Sequence, residues 1–340
     1  SGFSVDLRED VSIKDLTLDA GTLSIFADLN FAENFIATES SVVGLNFGEL
    51  SSFGGSLTTF GDMTKSGDGA SIVGVDAFRF EGGTLRVKNG ELLFKNTISN
   101  FVDVTLIVED GLFTFDENLT VFKGDSASLT VENGTLDFQT FALQFETDTV
   151  FHADDSAAVI KLGRPEAVEA AFIKLRPDSG DERVRNLLFS GDGSFVIRQP
   201  IELGVGDSLA NNHKGPENTG LVLDLIGNQT LTVPTAASFV NYGRLILKNG
   251  GLALGDVLGG ILNKGILTVP EGSKVTQLDC TNEHLILLKD SVIYGDIHFI
   301  SGSKLRTTGG TFEPKAGDSL IKFDENTKIT AEAGTSKIVF

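Results

Sequence analysis

Tryptophan is missing from all 340 residues, and cysteine and methionine occur once each, as Cys280 and Met63. A single cysteine excludes an intrachain disulfide framework, and the shortage of sulfur leaves little to oxidise. Tyrosine is limited to Tyr242 and Tyr294, so aromatic platforms for stacking sugars have few candidates. Four histidines, His152, His213, His284 and His298, fall singly and without metal-ligand spacing, and each reads as a surface or turn residue. No apolar run approaches the roughly 18 residues that a membrane-spanning helix requires.

Positive charge is also scarce, with 27 Lys and Arg against 47 Asp and Glu and a net charge of −20. Such a balance repels phosphate backbones and anionic headgroups, which argues against nucleic acid and membrane surfaces as partners. It keeps a long exposed surface soluble, and it would attract a cationic partner or Ca²⁺. The 39 glycines and 41% hydrophobic content lean towards strands and turns around a sizeable core.

What is plentiful is repetition. Asn241-Tyr242-Gly243-Arg244-Leu245-Ile246-Leu247 returns 22 residues later as Asn263-Lys264-Gly265-Ile266-Leu267-Thr268-Val269. Leu85-Arg86-Val87-Lys88-Asn89-Gly90 resembles Leu129-Thr130-Val131-Glu132-Asn133-Gly134, with looser copies at Leu106–Gly111 and Leu16–Gly21. In each copy apolar and polar residues alternate up to an Asn-Gly step or a relative of it. Period-two alternation marks a strand with one buried face, and Asn or Gly supplies the positive φ of a sharp turn. Asn-Gly is equally a hairpin signal, but hairpins do not require the phrase to return every 19 to 23 residues.

The expected fold is therefore all-β, a single-stranded parallel β-helix (β-solenoid) with rungs of about 19–23 residues. At about 22 residues per rung the chain would make roughly 15 rungs, with Leu85, Leu129 and Leu245 at equivalent interior positions. Residues 1–340 read as one solenoid domain. Phenylalanine is uneven, with 21 of 26 at or before Phe195, which suggests a ladder of stacked interior rings. Residues 156–200 break the rhythm with seven basic and six acidic residues, and read as an enlarged loop or decorated rungs. Within that loop, Pro165 followed by Glu and Ala through Ala171 has the composition to open a short helix.

Met63-Thr64-Lys65-Ser66-Gly67-Asp68-Gly69-Ala70 is similar to the short repeat found in autotransporter passengers, and Phe189–Phe195 is a weaker echo. With the Leu-x-Val-x-Asn-Gly phrase, the chain resembles the β-helical passenger domains of bacterial autotransporters and related surface adhesins. Met63 and Ala70 depart from the commoner residues of that repeat. The resemblance implies export, a cell-surface or extracellular position, and adhesion or self-association.

Function is expected to be non-catalytic: adhesion, self-association or scaffolding towards a host-cell or matrix protein, a glycan, or another copy. The alternative is a polysaccharide-active enzyme, lyase or glycosidase, with a site on one lateral face of the β-helix. Carboxylate pairs such as Asp154 and Asp155, or Asp181 and Glu182, signify little in so acidic a chain, so no catalytic, cofactor or metal residue is assigned. No nucleophile elbow or phosphate-binding loop occurs. Cys280 reads as a buried structural thiol. Asp68 and Asp192 sit in Ser-Gly-Asp-Gly turns, but the tandem glycine-rich nonapeptides of calcium-binding β-rolls are absent, so structural calcium is not expected. Asn118, Asn133 and Asn228 match the N-glycosylation pattern and would mark exposed turns in a secreted eukaryotic protein.

Overall fold

The computed structural model describes residues 3–52, 54–95, 98–166, 172–175, 183–225, 227, 229–234, 236–254, 260–314, 321–331 and 336–338. Among them no α-helix occurs, and parallel strands stack as a β-solenoid of about 14 turns. The expected architecture is thus the observed one. Contacts divide the chain into two compact units, Ser1–Arg164 and Pro165–Phe340, each with its own core. The segment able to open a helix after Pro165 falls on residues 167–171, outside the described residues.

In the first unit each rung contributes strands to three faces. One rung reads Ser126–Val131, Thr135–Phe138 and Ala142–Phe145, and the strand Ser126–Val131 alternates so that Ala127, Leu129 and Val131 point inward. The Asn-Gly steps are corners between two faces. Thr84–Lys95 and Thr105–Asp116 are single 12-residue strands that bend at Asn89-Gly90 and Asp110-Gly111 and run in register on either side. Gly90 has φ +71°, and a Cβ there would lie 2.3 Å from the Gly67 carbonyl oxygen, so the close approach of successive rungs demands glycine. A hairpin would pair such a strand with itself, whereas here each strand pairs with the next rung.

Stacking in register turns sequence repeats into side-chain ladders. Phe94, Phe115 and Phe138 form one column, with ring centroids 5.4 and 4.7 Å apart. Phe101, Phe122 and Phe145 form a second, at 5.1 and 5.3 Å. The two columns meet edge-on, Phe122 against Phe138 at 80°. Each ring pair adds about 0.5–1.5 kcal/mol beyond area burial. Acidic residues serve the corners: an Oδ1 of Asp28, Asp62 and Asp103 accepts from the backbone N–H of Glu49, Thr84 and Asp125 in the following rung. Part of the negative charge is therefore structural.

The core of the second unit is mostly aliphatic, with Phe189, Phe195, Phe239, Phe299 and Phe312 buried among the Leu, Ile and Val side chains. Leu221, Leu245, Leu267, Ile286 and Leu305 stack in direct register. Leu85 stacks instead with Leu106 and Leu129 in the first unit, so Leu245 is buried as expected but belongs to a different ladder. Rung length also varies more than the repeat suggests. Equivalent positions are 17 residues apart between Asp279 and Asp296 but 30 apart between Asn211 and Asn241. Extra residues are extruded at corners such as Lys214–Gly220, which leaves the strands in register.

Candidate functional site

The most distinctive corner lies in the second unit and is built on an asparagine ladder. Asn211, Asn241, Asn263 and Asn282 occupy one stacking position and are all buried. Each Nδ2 donates to Oδ1 of the next asparagine, at 2.7, 2.7 and 2.6 Å. The second Nδ2 hydrogen of Asn211, Asn241 and Asn263 reaches a backbone carbonyl of the following rung, that of Arg244, Ile266 or Leu285, at 2.9, 3.4 and 3.2 Å. A primary amide has two donors and a two-lone-pair acceptor, and this stack uses both sides, which makes a buried polar residue tolerable and fixes the corner.

Two residues beyond each asparagine come His213, Gly243, Gly265 and His284. Two glycines therefore fall between two histidines. Added Cβ atoms would lie 2.2 Å from the His213 carbonyl oxygen at Gly243 and 2.1 Å from the Gly243 carbonyl oxygen at Gly265, so only glycine fits. Without side chains at these rungs a notch of about 290 Å³ opens, walled by His213, Lys214, Tyr242, Arg244, Lys264 and His284. Tyr242 is 56% exposed and Lys214, Lys264 and His284 are exposed, whereas Arg244 is half-buried.

Lys264 lies 3.6 Å from Glu283. Among the described residues Lys214 and Arg244 make no ion pair, and Nε of Arg244 is enclosed without a hydrogen-bond partner. His213 is buried, contrary to the surface or turn position its sequence context suggests. Its Nε2 lies 2.9 Å from Thr219 Oγ1 and 3.3 Å from the Asp192 carbonyl. The Thr219 hydroxyl donates to the Pro216 carbonyl, so both neighbours accept and Nε2 carries the proton. Burial, assisted by the Arg244 charge, pulls the pKa of His213 down. The notch therefore gathers Lys214, Arg244 and Lys264, the last paired with Glu283, around Tyr242 and the two imidazoles of His213 and His284.

Other residues singled out from sequence have structural settings. Asp68 accepts from Asn89 Nδ2 at 2.7 Å, and Asn89 Oδ1 accepts from the Gly67 N–H. Lys65, in the segment resembling the passenger repeat, is buried with Nζ donating to the carbonyls of Asn46, Ser66 and Gly67. Asp155 caps its own turn through the Ala157 N–H, while Asp181 and Glu182 lie outside the described residues, as does Asn228. His152 lies 3.5 Å from Asp154 and His298 lies 2.9 Å from Asp324. Cys280 is buried, and burial pushes its thiol up to about 12.

Sequence reading missed the notch because it depends on lateral register. The unequal steps of 30, 22 and 19 residues between the asparagines conceal their equivalence. The available signal was the pair Asn-Tyr-Gly-Arg and Asn-Lys-Gly-Ile, which carries a cation in each copy. No protein-family model, curated protein or solved structure matches the chain.

Proposed function

We propose that the chain is a non-catalytic β-solenoid displayed outside the cytoplasm, where it acts in adhesion or scaffolding by holding an acidic partner at the notch. The supporting observation is that Lys214, Arg244, Lys264 and Tyr242 gather around one cavity in a chain whose net charge is −20. Screening decides which charges an approaching partner feels. At physiological salt the Debye length is about 8 Å, so a partner at the notch feels Lys214, Arg244 and the Lys264–Glu283 pair more than carboxylates farther along the chain. Backbone stacking and the asparagine ladder hold the corner rigid before anything binds, which lowers the ordering cost of association. The excess acidity elsewhere discourages unselective lateral contact, and the resemblance to passenger domains supports the extracellular position.

Adhesion of the full chain to host cells, matrix proteins and itself tests this role. The wild-type chain is expected to adhere, and combined Lys214→Glu, Arg244→Glu and Lys264→Glu substitutions are expected to reduce adhesion at least about tenfold. Undiminished adhesion of the triple variant, or none by the wild type, removes the reading. A second reading, a polysaccharide-active enzyme, draws on a lateral cleft of about 290 Å³ in the first unit lined by Glu49, Asp76 and Lys95. Cleavage of any polysaccharide in a panel, abolished by Glu49→Gln or Asp76→Asn, would put it first.

A further inference from the structure

We infer that the outward face of the strands Leu221–Asp224, Arg244–Leu254, Ile266–Val269 and Leu285–Leu288 is a docking surface for a second copy of this chain, whose acidic first unit it receives. The face adjoins the notch and shares Arg244 and Ile266 with it, but it does not rest on the notch holding a partner.

The sequence marks this face first. A strand with one wetted side alternates apolar and polar residues, whereas a strand covered on both sides reads as a continuous apolar run. Leu221-Val222-Leu223, Leu245-Ile246-Leu247 and Leu285-Ile286-Leu287-Leu288 are such runs. Their alternate members fill the core, so Val222, Ile246, Leu285 and Leu287 point outward and are only partly covered.

Register then lines the outward side chains up. Val196, Val222, Ile246, Thr268 and Leu287 form one column, and Ile266 and Leu285 stand beside it. With rungs about 4.8 Å apart, the five-residue column extends for about 19 Å. The corresponding column of the first unit runs Glu49, Ile72, Leu93, Thr114, Asp137 and Lys161, as mixed as a wetted face requires. A continuous apolar patch on so charged a chain marks an interaction site.

Charge identifies the occupant. The two columns end on Arg306 and Lys304, Arg244 precedes Ile266, and Lys248 follows Ile246 by two residues. Asp224 at the edge is paired with Lys248 at 2.8 Å. Two such faces laid together would oppose cation to cation, which disfavours a symmetric pairing of this face with itself. The complementary acid is concentrated in the other unit: Ser1–Arg164 holds 26 Asp and Glu against 10 Lys and Arg, and Pro165–Phe340 holds 21 against 17.

The first unit also has an apolar stripe to offer. Ala77, Ile98, Leu119 and Ala142 stack in register on its outer side, with Ile98 43% exposed and Asp76 exposed beside Ala77. Both surfaces present one side chain per rung at the same spacing, so side chains of one can seat between those of the other along the whole stripe. A partner without stacked rungs has no such period. The contact is heterologous, two different surfaces meeting across two copies.

The test is sedimentation velocity of the full chain over a concentration series, at low and at high salt. The wild type is expected to self-associate, and less so at high salt. Ile246→Glu and Ile98→Lys, both at outward positions, are each expected to weaken self-association at least about tenfold, with circular dichroism showing that the strands persist. Should the new charge disturb the strand, Val222→Thr with Ile246→Thr keeps β-branching and replaces it. Mixing the Ile246 and Ile98 variants is expected to restore a one-to-one pair, because each supplies the surface that the other has lost. A wild type that stays monomeric at every concentration overturns the inference and leaves the face to an unrelated acidic protein. An Ile98→Lys chain that associates as the wild type does also overturns it, in favour of a symmetric pairing, as does a mixture that fails to pair.

Discussion

Asn241 donates from Nδ2 to Oδ1 of Asn263 across 2.7 Å, and both side chains are buried. The bond is one link of a ladder in which Asn211 and Asn282 are the flanking members. Deleting a middle amide leaves the Oδ1 or Nδ2 of its neighbours buried without a partner. Asn241→Ala is expected to lower the stability of the second unit by about 2–4 kcal/mol. Urea titration followed by far-ultraviolet circular dichroism checks it, and an unchanged midpoint would mean the ladder is dispensable.

In the first unit the corresponding burden falls on rings. Phe115 is fully buried and lies 4.7 Å from Phe138, 5.4 Å from Phe94 and 5.7 Å from Phe101. Phe115→Ala removes a member of both columns' contact and leaves a cavity, at an expected cost of about 3–5 kcal/mol. Phe141→Ala is the comparison: its ring is 39% exposed and meets only the Arg164 guanidinium among the ring and cation–π contacts of the described residues. Its cost is expected near 1 kcal/mol.

Glu117 gives the first unit a pH dependence. It is buried, Ser99 Oγ and Thr120 Oγ1 donate to it at 2.6 and 2.7 Å, and burial pushes its carboxyl up to about 8 from an ordinary 4.5. Between those values the folded chain holds a proton that the unfolded chain has released. Stability from this group is full below 4.5 and drains away as pH climbs to about 8. Glu117→Gln is expected to flatten that slope, raising the urea midpoint relative to wild type most at the alkaline end. A parallel pair of pH–stability curves would count against it.

Two glycines separate space from backbone conformation. At Gly243 a new Cβ would meet the His213 carbonyl at 2.2 Å, whereas at Gly272, φ +72°, nothing lies within 4 Å. Gly272→Ala pays only for the left-handed conformation, about 1–2 kcal/mol. Gly243→Ala must push rungs apart, at about 3 kcal/mol or more. Equal thermal shifts for the two would deny that the notch floor is sterically enforced.

The fold was legible because its determinants are local: alternation in Leu129-Thr130-Val131 names a strand, and Asn89-Gly90 names a corner. Stacking partners are less local. Leu245 shares a phrase with Leu85 and Leu129 yet lies in another column, because the phrase records turn chemistry and the column is set by every residue wound between. Lys65 occupies an inward position of a two-residue period, an anomaly visible in Asp62-Met63-Thr64-Lys65 and explained only by three carbonyls contributed by Asn46, Ser66 and Gly67. The notch needed four asparagines to be aligned across unequal spacings, and only then did Tyr242 become neighbour to Lys214 and Lys264.

Cys280 sits in the strand Lys274–Asn282, two residues from the last asparagine of the ladder, with its thiol raised to about 12. Thiol reagents attack the thiolate, so the closed form is silent to them at neutral pH. Modification then occurs only when that rung comes apart. The chain consequently carries its own clock, and the rate at which a single sulfur is tagged counts how often the seam beneath the basic corner breathes.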